Sequence, residues 1–201
     1  MSMMLQGGPF KAPVAGLHRF SVKQYQKMIE NGVITEDDDL ELLEGYLVEK
    51  MSRNAPHDGG LDLMRDALYR LLPVDWWMRV QEGVALRDSV PEPDIAVVRG
   101  NARTYLKRHP APADVGVVME ISDSSLDNDR DDKTRIYARA GLPIYWIVNL
   151  VDRQVEVYEQ PSGPTPNPCY ASIQVFKPGD VVRFVLDGNV IGTIPVADLL
   201  P

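Results

Sequence analysis

Apolar positions along the chain follow two periods, and the switches between them predict its elements. Tyr25, Met28 and Ile29 fall at helical spacing behind Ser21, a good N-cap, and Asn31-Gly32 closes that helix. The acidic run Glu36–Asp39 reads as a solvated loop. Leu40–Leu43 and the stretch to Glu49 read as two short strands around a turn at Glu44-Gly45. Leu61, Met64, Leu68 and Leu71 return to helical spacing; Asn54–Asp58 is the capping loop and Pro73 the stop. From Trp76 the period shortens, predicting strands at Trp76–Val80, Val84–Leu86 and Asp94–Val98, with a short helix over Thr104–Arg108 before Pro110. Val115–Ile121 is almost continuously apolar, the mark of a central strand buried on both faces. The polar loop Ser122–Asn128 leads into a helix over Asp129–Ala140, ended by Gly141 and Pro143. Further strands are expected at Ile144–Leu150, Val155–Tyr158, Ile173–Phe176 and Val181–Leu186. Pro161–Pro168 reads as a surface loop and Pro195–Leu200 as a last turn. The fold class is α+β, a mixed sheet flanked by helices with additional β-hairpins.

Length and composition narrow the class. A chain of 201 residues, 44% hydrophobic and 25% charged, suits one globular domain, taken as residues 18–201 behind a flexible, glycine- and proline-spotted arm, 1–17. No apolar run approaches the roughly 18 residues a bilayer requires. Cys169 is the only cysteine, so no intrachain disulfide can form, which fits a reducing, cytoplasmic setting. The net charge of −8 argues against a broad basic footprint for nucleic acid. The local exception is Arg99, Arg103, Lys107 and Arg108, within ten positions.

Three residues point to chemistry. Glu120 sits near the end of the apolar strand, where an ionised carboxylate is costly unless it is paired with a cation or bound to a metal. Asp94 opens its strand behind the rigid Pro91-Glu92-Pro93. If the two strands pair antiparallel, both carboxylates converge on one sheet edge, where a hard divalent cation would relieve their repulsion. Alone, an Asp after Pro is equally a common turn feature. Lys133 shares a helical stripe with Ile136, Tyr137 and Ala140. It either snorkels from an amphipathic boundary or aims its ammonium at the carboxylates. No Gly-x-Gly-x-x-Gly loop follows a strand, which excludes a dinucleotide-binding enzyme of that type.

The order Pro93-Asp94, then Glu120-Ile121-Ser122, resembles the PD-(D/E)XK nuclease superfamily. Within it the chain is most similar to a bacterial family labelled "putative restriction endonuclease" (Uma-like). The resemblance runs from about Phe20 to Tyr158. It rests on Leu40–Gly45, Pro56-His57, Pro93–Val98, Val118–Ser122, Asp129–Lys133 with Tyr137, and Gly141–Val148 in that order. It implies a restriction-endonuclease-like fold and a metal-dependent endonuclease acting on DNA. Asp94, Glu120 and the Ile121 carbonyl would hold Mg²⁺ or Mn²⁺, with Glu41 as an outer acid and His57 near the site. One departure stands out: the superfamily places a lysine two residues after the acid, where this chain has Ser122, and Lys133 is the matching candidate on the next helix. The competing reading is a catalytically inactive module that keeps the fold for dimerisation or partner binding. A homodimer is expected from Trp146 and the apolar C-terminal hairpins, and because cutting both strands of a duplex favours one.

Overall fold

A computed structural model of the chain describes residues 16–51 and 53–201. The expected N-terminal arm lies, up to residue 15, outside the described residues.

Helix α1 (Val22–Glu30) starts at Ser21, which forms a reciprocal capping box with Gln24. The hairpin of β1 (Leu40–Leu43) and β2 (Tyr46–Glu49) follows, paired antiparallel around Glu44-Gly45. Helix α2 (Ala55–Tyr69) is capped by Asn54, whose side chain accepts from the His57 N–H. The main sheet comprises β3 (Trp76–Val80), β4 (Ile95–Arg99), β5 (Val115–Ser122), β6 (Ile144–Asn149), β7 (Gln154–Pro161) and β8 (Tyr170–Phe176), hydrogen-bonded in that order. Every neighbouring pair is antiparallel except β5–β6, which is parallel and so needs a crossover. The crossover is the helical stretch α3 (Leu126–Asn128), a π-turn over Asp129–Lys133, and α4 (Thr134–Ala140). A separate hairpin, β9 (Val181–Leu186) with β10 (Asn189–Pro195), precedes a 3₁₀ turn at Val196–Leu199.

Alternation sorts the sheet's side chains onto two faces. One face, including Val117, Met119, Ile121, Trp146 and Val148, packs on Leu61, Met64 and Leu68 of α2 and on Phe184 and Leu186 of β9. The other, including Ala96, Val118, Tyr145 and Ile147, packs on Ile136 and Tyr137 of the crossover helix. β5 is buried along its whole length, as its sequence predicts. Gly116 is required there: a Cβ would lie 2.6 Å from the Trp76 ring and 2.7 Å from Leu186.

The structure departs from the expectations in several places. Val84–Leu86 is no strand. Val84 and Leu86 are buried, but the N–H groups of the stretch go to the loop carbonyls of Pro91, Pro110 and Ser89. The short helix expected at Thr104–Arg108 is a 3₁₀ turn over Ala102–Tyr105. The strand β10 is an addition, and the helix expected from Asp129 opens with the π-turn. Trp146 cannot serve a dimer surface: it is 1% exposed, its ring set edge-on to Phe184 of the C-terminal hairpin, so both belong to the same core.

Candidate active site

The register of β4 and β5 decides the geometry. Ile95 faces Met119 in this antiparallel pair, so one step further Asp94 falls opposite Glu120, with both side chains on the crossover-helix face. The Asp94 N–H donates to Glu120 Oε2 (3.2 Å), and the Ile121 N–H donates to Asp94 Oδ2 (2.9 Å). Asp94 also accepts from His57 Nε2 (3.1 Å) and from Gln81 Nε2 (3.2 Å). Glu120 Oε1 accepts from Lys133 Nζ (3.0 Å) and from the Tyr137 hydroxyl (2.7 Å). Lys133 and Tyr137 stand four residues apart across the end of the π-turn and reach the same oxygen, and such turns recur at functional sites.

Glu41 on β1 joins from the hairpin. It is buried, 3.4 Å from Lys133 Nζ through Oε1, and accepts the Glu92 N–H through Oε2 (3.0 Å). Ser122, where the superfamily lysine would stand, donates instead to Asp129 Oδ2 (2.7 Å), which also takes the Ser125 hydroxyl (2.7 Å). Asp94, Glu120, Lys133, Glu41, His57, Gln81 and Asp129 line one cleft of about 320 Å³ together with Ile121, and Tyr137 and Ser122 stand behind them.

Burial pushes the Glu120 carboxyl up to about 8; the Lys133 ammonium pulls against this, while Asp129 and Asp94 add to it. Burial also works against the Lys133 charge, but Glu120, Glu41 and Asp129 hold its pKa above that of an ordinary lysine. The ammonium is thus the member that stays charged. Asp94 behaves differently: burial opposes its charge, but His57, the Ile121 N–H and Gln81 hold its pKa below the usual carboxylate range. The Asp94 hydrogen bond in turn raises His57 against the effect of burial. Burial raises Asp129.

The structure therefore brings Asp94, Glu120, Lys133, Glu41, His57 and Ile121 to one place. Sequence reasoning missed Asp129, Gln81 and the Tyr137 hydroxyl. Asp129 had a signal, an acid one helical turn before Lys133; Gln81 follows a strand and had none. Glu44, in the turn between β1 and β2, is only 18% exposed and ties the hairpin to α4 through Arg135 and Arg139. Among the described residues no three His, Cys, Asp or Glu side chains converge as a ready-made metal cage. The donor set nonetheless fits Mg²⁺ or Mn²⁺. Ions of this kind take one or two carboxylates and keep several waters, and two hard carboxylates meet here at a cleft.

A mixed sheet with paired acids at the start of one central strand and the end of the next places the molecule in the restriction-endonuclease-like class. Residues 22–189 match the Uma2 family, described as "Putative restriction endonuclease", and the chain belongs to that family. Among solved structures, a putative nuclease belonging to DUF820 from Anabaena variabilis ATCC 29413 is similar, with a TM-score of 0.66 at 15% identity. The similarity covers 90% of this chain and 97% of that one, and at this identity it speaks for the fold. No curated protein matches the chain. Family and fold together support a nuclease-type function. No helix among the described residues is long and apolar enough to cross a membrane.

Proposed function

We propose that this chain is a metal-dependent endonuclease that hydrolyses phosphodiester bonds in DNA, working in the cytoplasm. The observation that carries the reading is the meeting of Asp94 and Glu120 at a cleft with Lys133 and Tyr137 both on Glu120. Asp94, Glu120 and the Ile121 carbonyl would hold Mg²⁺ or Mn²⁺. When bound, such an ion lowers the pKa of a coordinated water and polarises a phosphoryl oxygen. The protein's own groups prepare the place. His57 and Gln81 fix the Asp94 carboxylate, and the Tyr137 hydroxyl fixes Glu120 Oε1. Lys133 keeps its proton at Nζ and supplies a compact positive charge for a phosphate oxygen that gains negative charge, with Glu41 balancing it beforehand. A homodimer belongs to this reading, since two clefts would serve the two strands of a duplex.

One observation favours the inactive-module alternative: Lys133, Tyr137 and the Asp94 N–H already engage both oxygens of Glu120. A Mn²⁺-dependent cleavage assay on wild type beside Glu120→Gln separates the two. Cleavage that the substitution removes supports the enzyme; no cleavage by the wild type over a range of DNA substrates overturns it.

A further inference from the structure

The cations grouped between Arg99 and Arg108 start far from the cleft, but the backbone carries them toward it. Arg99 ends β4 opposite Trp76, at the far end of that strand from Asp94. Gly100, at φ +94°, turns the chain, and its N–H donates to the Asp75 carbonyl (2.8 Å). The chain then doubles back along the β3–β4 edge. Tyr105 carries the guanidinium of Arg79, a β3 residue, 5.3 Å from its ring and that of Arg108 at 5.1 Å. His109 reaches Gly83, where a Cβ would lie 3.1 Å from the imidazole, and Pro110 accepts the Ala85 N–H (2.9 Å). Gly83 is two residues from Gln81, which lines the cleft beside Arg53.

This path is pinned and its cations are partly free. The Tyr105 hydroxyl donates to the Arg99 carbonyl, and the Asn101 side chain accepts the Arg103 N–H (2.9 Å). Arg99 pairs with Asp187 and Arg108 with Asp114, whereas Arg103 and Lys107 are exposed and pair with no acid among the described residues. No acidic residue interrupts the stretch from Arg99 to His109, in a chain whose net charge is −8. The length of β4 at about 3.3 Å per residue gives a run of roughly 15 Å, the rise of four to five nucleotides along one strand. Two exposed cations without an acid partner, carried with two paired arginines on a pinned backbone that runs toward the cleft, match a polyanion.

We propose that residues 99–109 form a phosphate-backbone track that seats duplex DNA on the β3–β4 edge and leads it to the cleft. The proposal rests on the nuclease reading. The test compares anisotropy of a labelled duplex, without divalent metal and across a salt series, for three full-length proteins: wild type, Arg103→Glu/Lys107→Glu, and a control carrying the same charge change on α1, Lys23→Glu/Lys27→Glu. Melting temperatures check folding, and Mn²⁺-dependent cleavage is measured alongside. The track variant should bind on the order of tenfold more weakly, with a salt slope shallower by about two, while the control stays close to wild type. Equal weakening in both variants would show a mere effect of net charge and overturn the track. A track variant that binds like wild type, while the wild type cleaves, overturns the track and leaves the nuclease standing. A wild type that neither binds nor cleaves duplex overturns both.

Discussion

Glu120 and Glu156 lie on one rung of the sheet, both beside Ile147, on the same face and two strands apart. They are equally buried, at 4% and 3% exposure, yet their chemistry is opposite. Glu156 is surrounded by donors: Arg130, the Asn149 amide (2.8 Å), the Gln154 amide (2.9 Å) and the Tyr158 hydroxyl (2.8 Å). Burial opposes its charge, but these donors bring its pKa down to about 2. Glu120 shares one lysine with Glu41, has Asp94 and Asp129 as acidic neighbours, and is pushed up to about 8. With equally little surface exposed, the same side chain is a structural ion pair in one place and, packed more deeply and set among other acids, faces a cleft in the other. Low exposure alone therefore does not set a carboxylate's pKa; depth of packing and the balance of cations, donors and acids around it do.

The largest expected effect separates the two in activity. Glu120→Gln should lower Mn²⁺-dependent cleavage by at least on the order of 10²–10³, and so should Lys133→Ala, which removes a donor aimed at developing charge. Lys133→Arg should also fail, because a planar fork does not replace a compact ammonium. Glu156→Gln should cleave like wild type. Rates measured under identical Mn²⁺ decide this, and an undiminished rate for Lys133→Ala would remove the lysine from the chemistry.

The Glu156 cluster should show its weight in stability instead. Glu156→Ala leaves Arg130 with only Asp152 (3.2 Å) and strands the Tyr158 hydroxyl, while Asn149 keeps Asp152 (2.9 Å). Breaking a fully buried pair costs about 3–5 kcal/mol. Arg130 is partly exposed, so roughly 2–3 kcal/mol is expected here, or about 5–10 °C in melting temperature. A shift below about 1 °C would show that this cluster contributes little.

The pH dependence should differ in sign. Glu156 has a depressed pKa, so the stability it adds is present above its unfolded value near 4.5 and is lost as pH falls toward about 2. Glu120 has a raised one, so its contribution is full below about 4.5 and is lost as pH rises toward about 8. In urea unfolding across pH, Glu156→Gln should flatten the acid limb and Glu120→Gln the limb between about 4.5 and 8. The comparison breaks if either variant flattens the other's limb.

The two glutamates also differed in how well they could be read from sequence. Glu120 was legible because an acid in the apolar run Val115–Ile121 has no solvent face to occupy. Lys133 was legible because it interrupts an otherwise apolar helical stripe. In Gln154-Val155-Glu156-Val157, by contrast, alternation reads as an ordinary half-exposed strand. What buries Glu156 is Arg130, brought over it by a π-turn that no local pattern announces. The Val84–Leu86 stretch misled for a related reason: its apolar residues are buried by loops around Pro91 and Pro110, so burial there carried no strand pairing. The β9–β10 hairpin did have a signal. Asp187-Gly188, both at positive φ, is a favoured hairpin turn between apolar runs, though the register shift between Val190 and Gly192 blurs the second strand's alternation.

The smallest expected effect extends the comparison to Asp94, the third acid of the rung. Asp94 resembles Glu156 in being well supplied with donors, and one of them is the imidazole of His57, itself a titratable group. The hydrogen bond to Asp94 raises the His57 pKa, burial lowers it, and the bond prevails. A histidine raised on folding adds stability that is fully present below its unfolded pKa, near 6.5, and is lost as pH rises through the folded value. The gain should be slight, about 1 kcal/mol or less, because Asp94 keeps its Ile121 and Gln81 partners when His57 is neutral. In Asp94→Asn the imidazole loses its nearer anionic partner and keeps only Asp58 (3.5 Å), so its pKa should fall. NMR titration of the ring protons tests this directly, since the chain has three histidines and His109, which burial and then Arg79 push down, serves as a reference in the same spectrum. If His57 titrates identically in wild type and Asp94→Asn, the imidazole is not held by Asp94. The well-supplied end of the rung would then consist of Gln81 and the Ile121 N–H alone, and His57 would be reduced to a residue in the first turn of α2 behind its Asn54 cap.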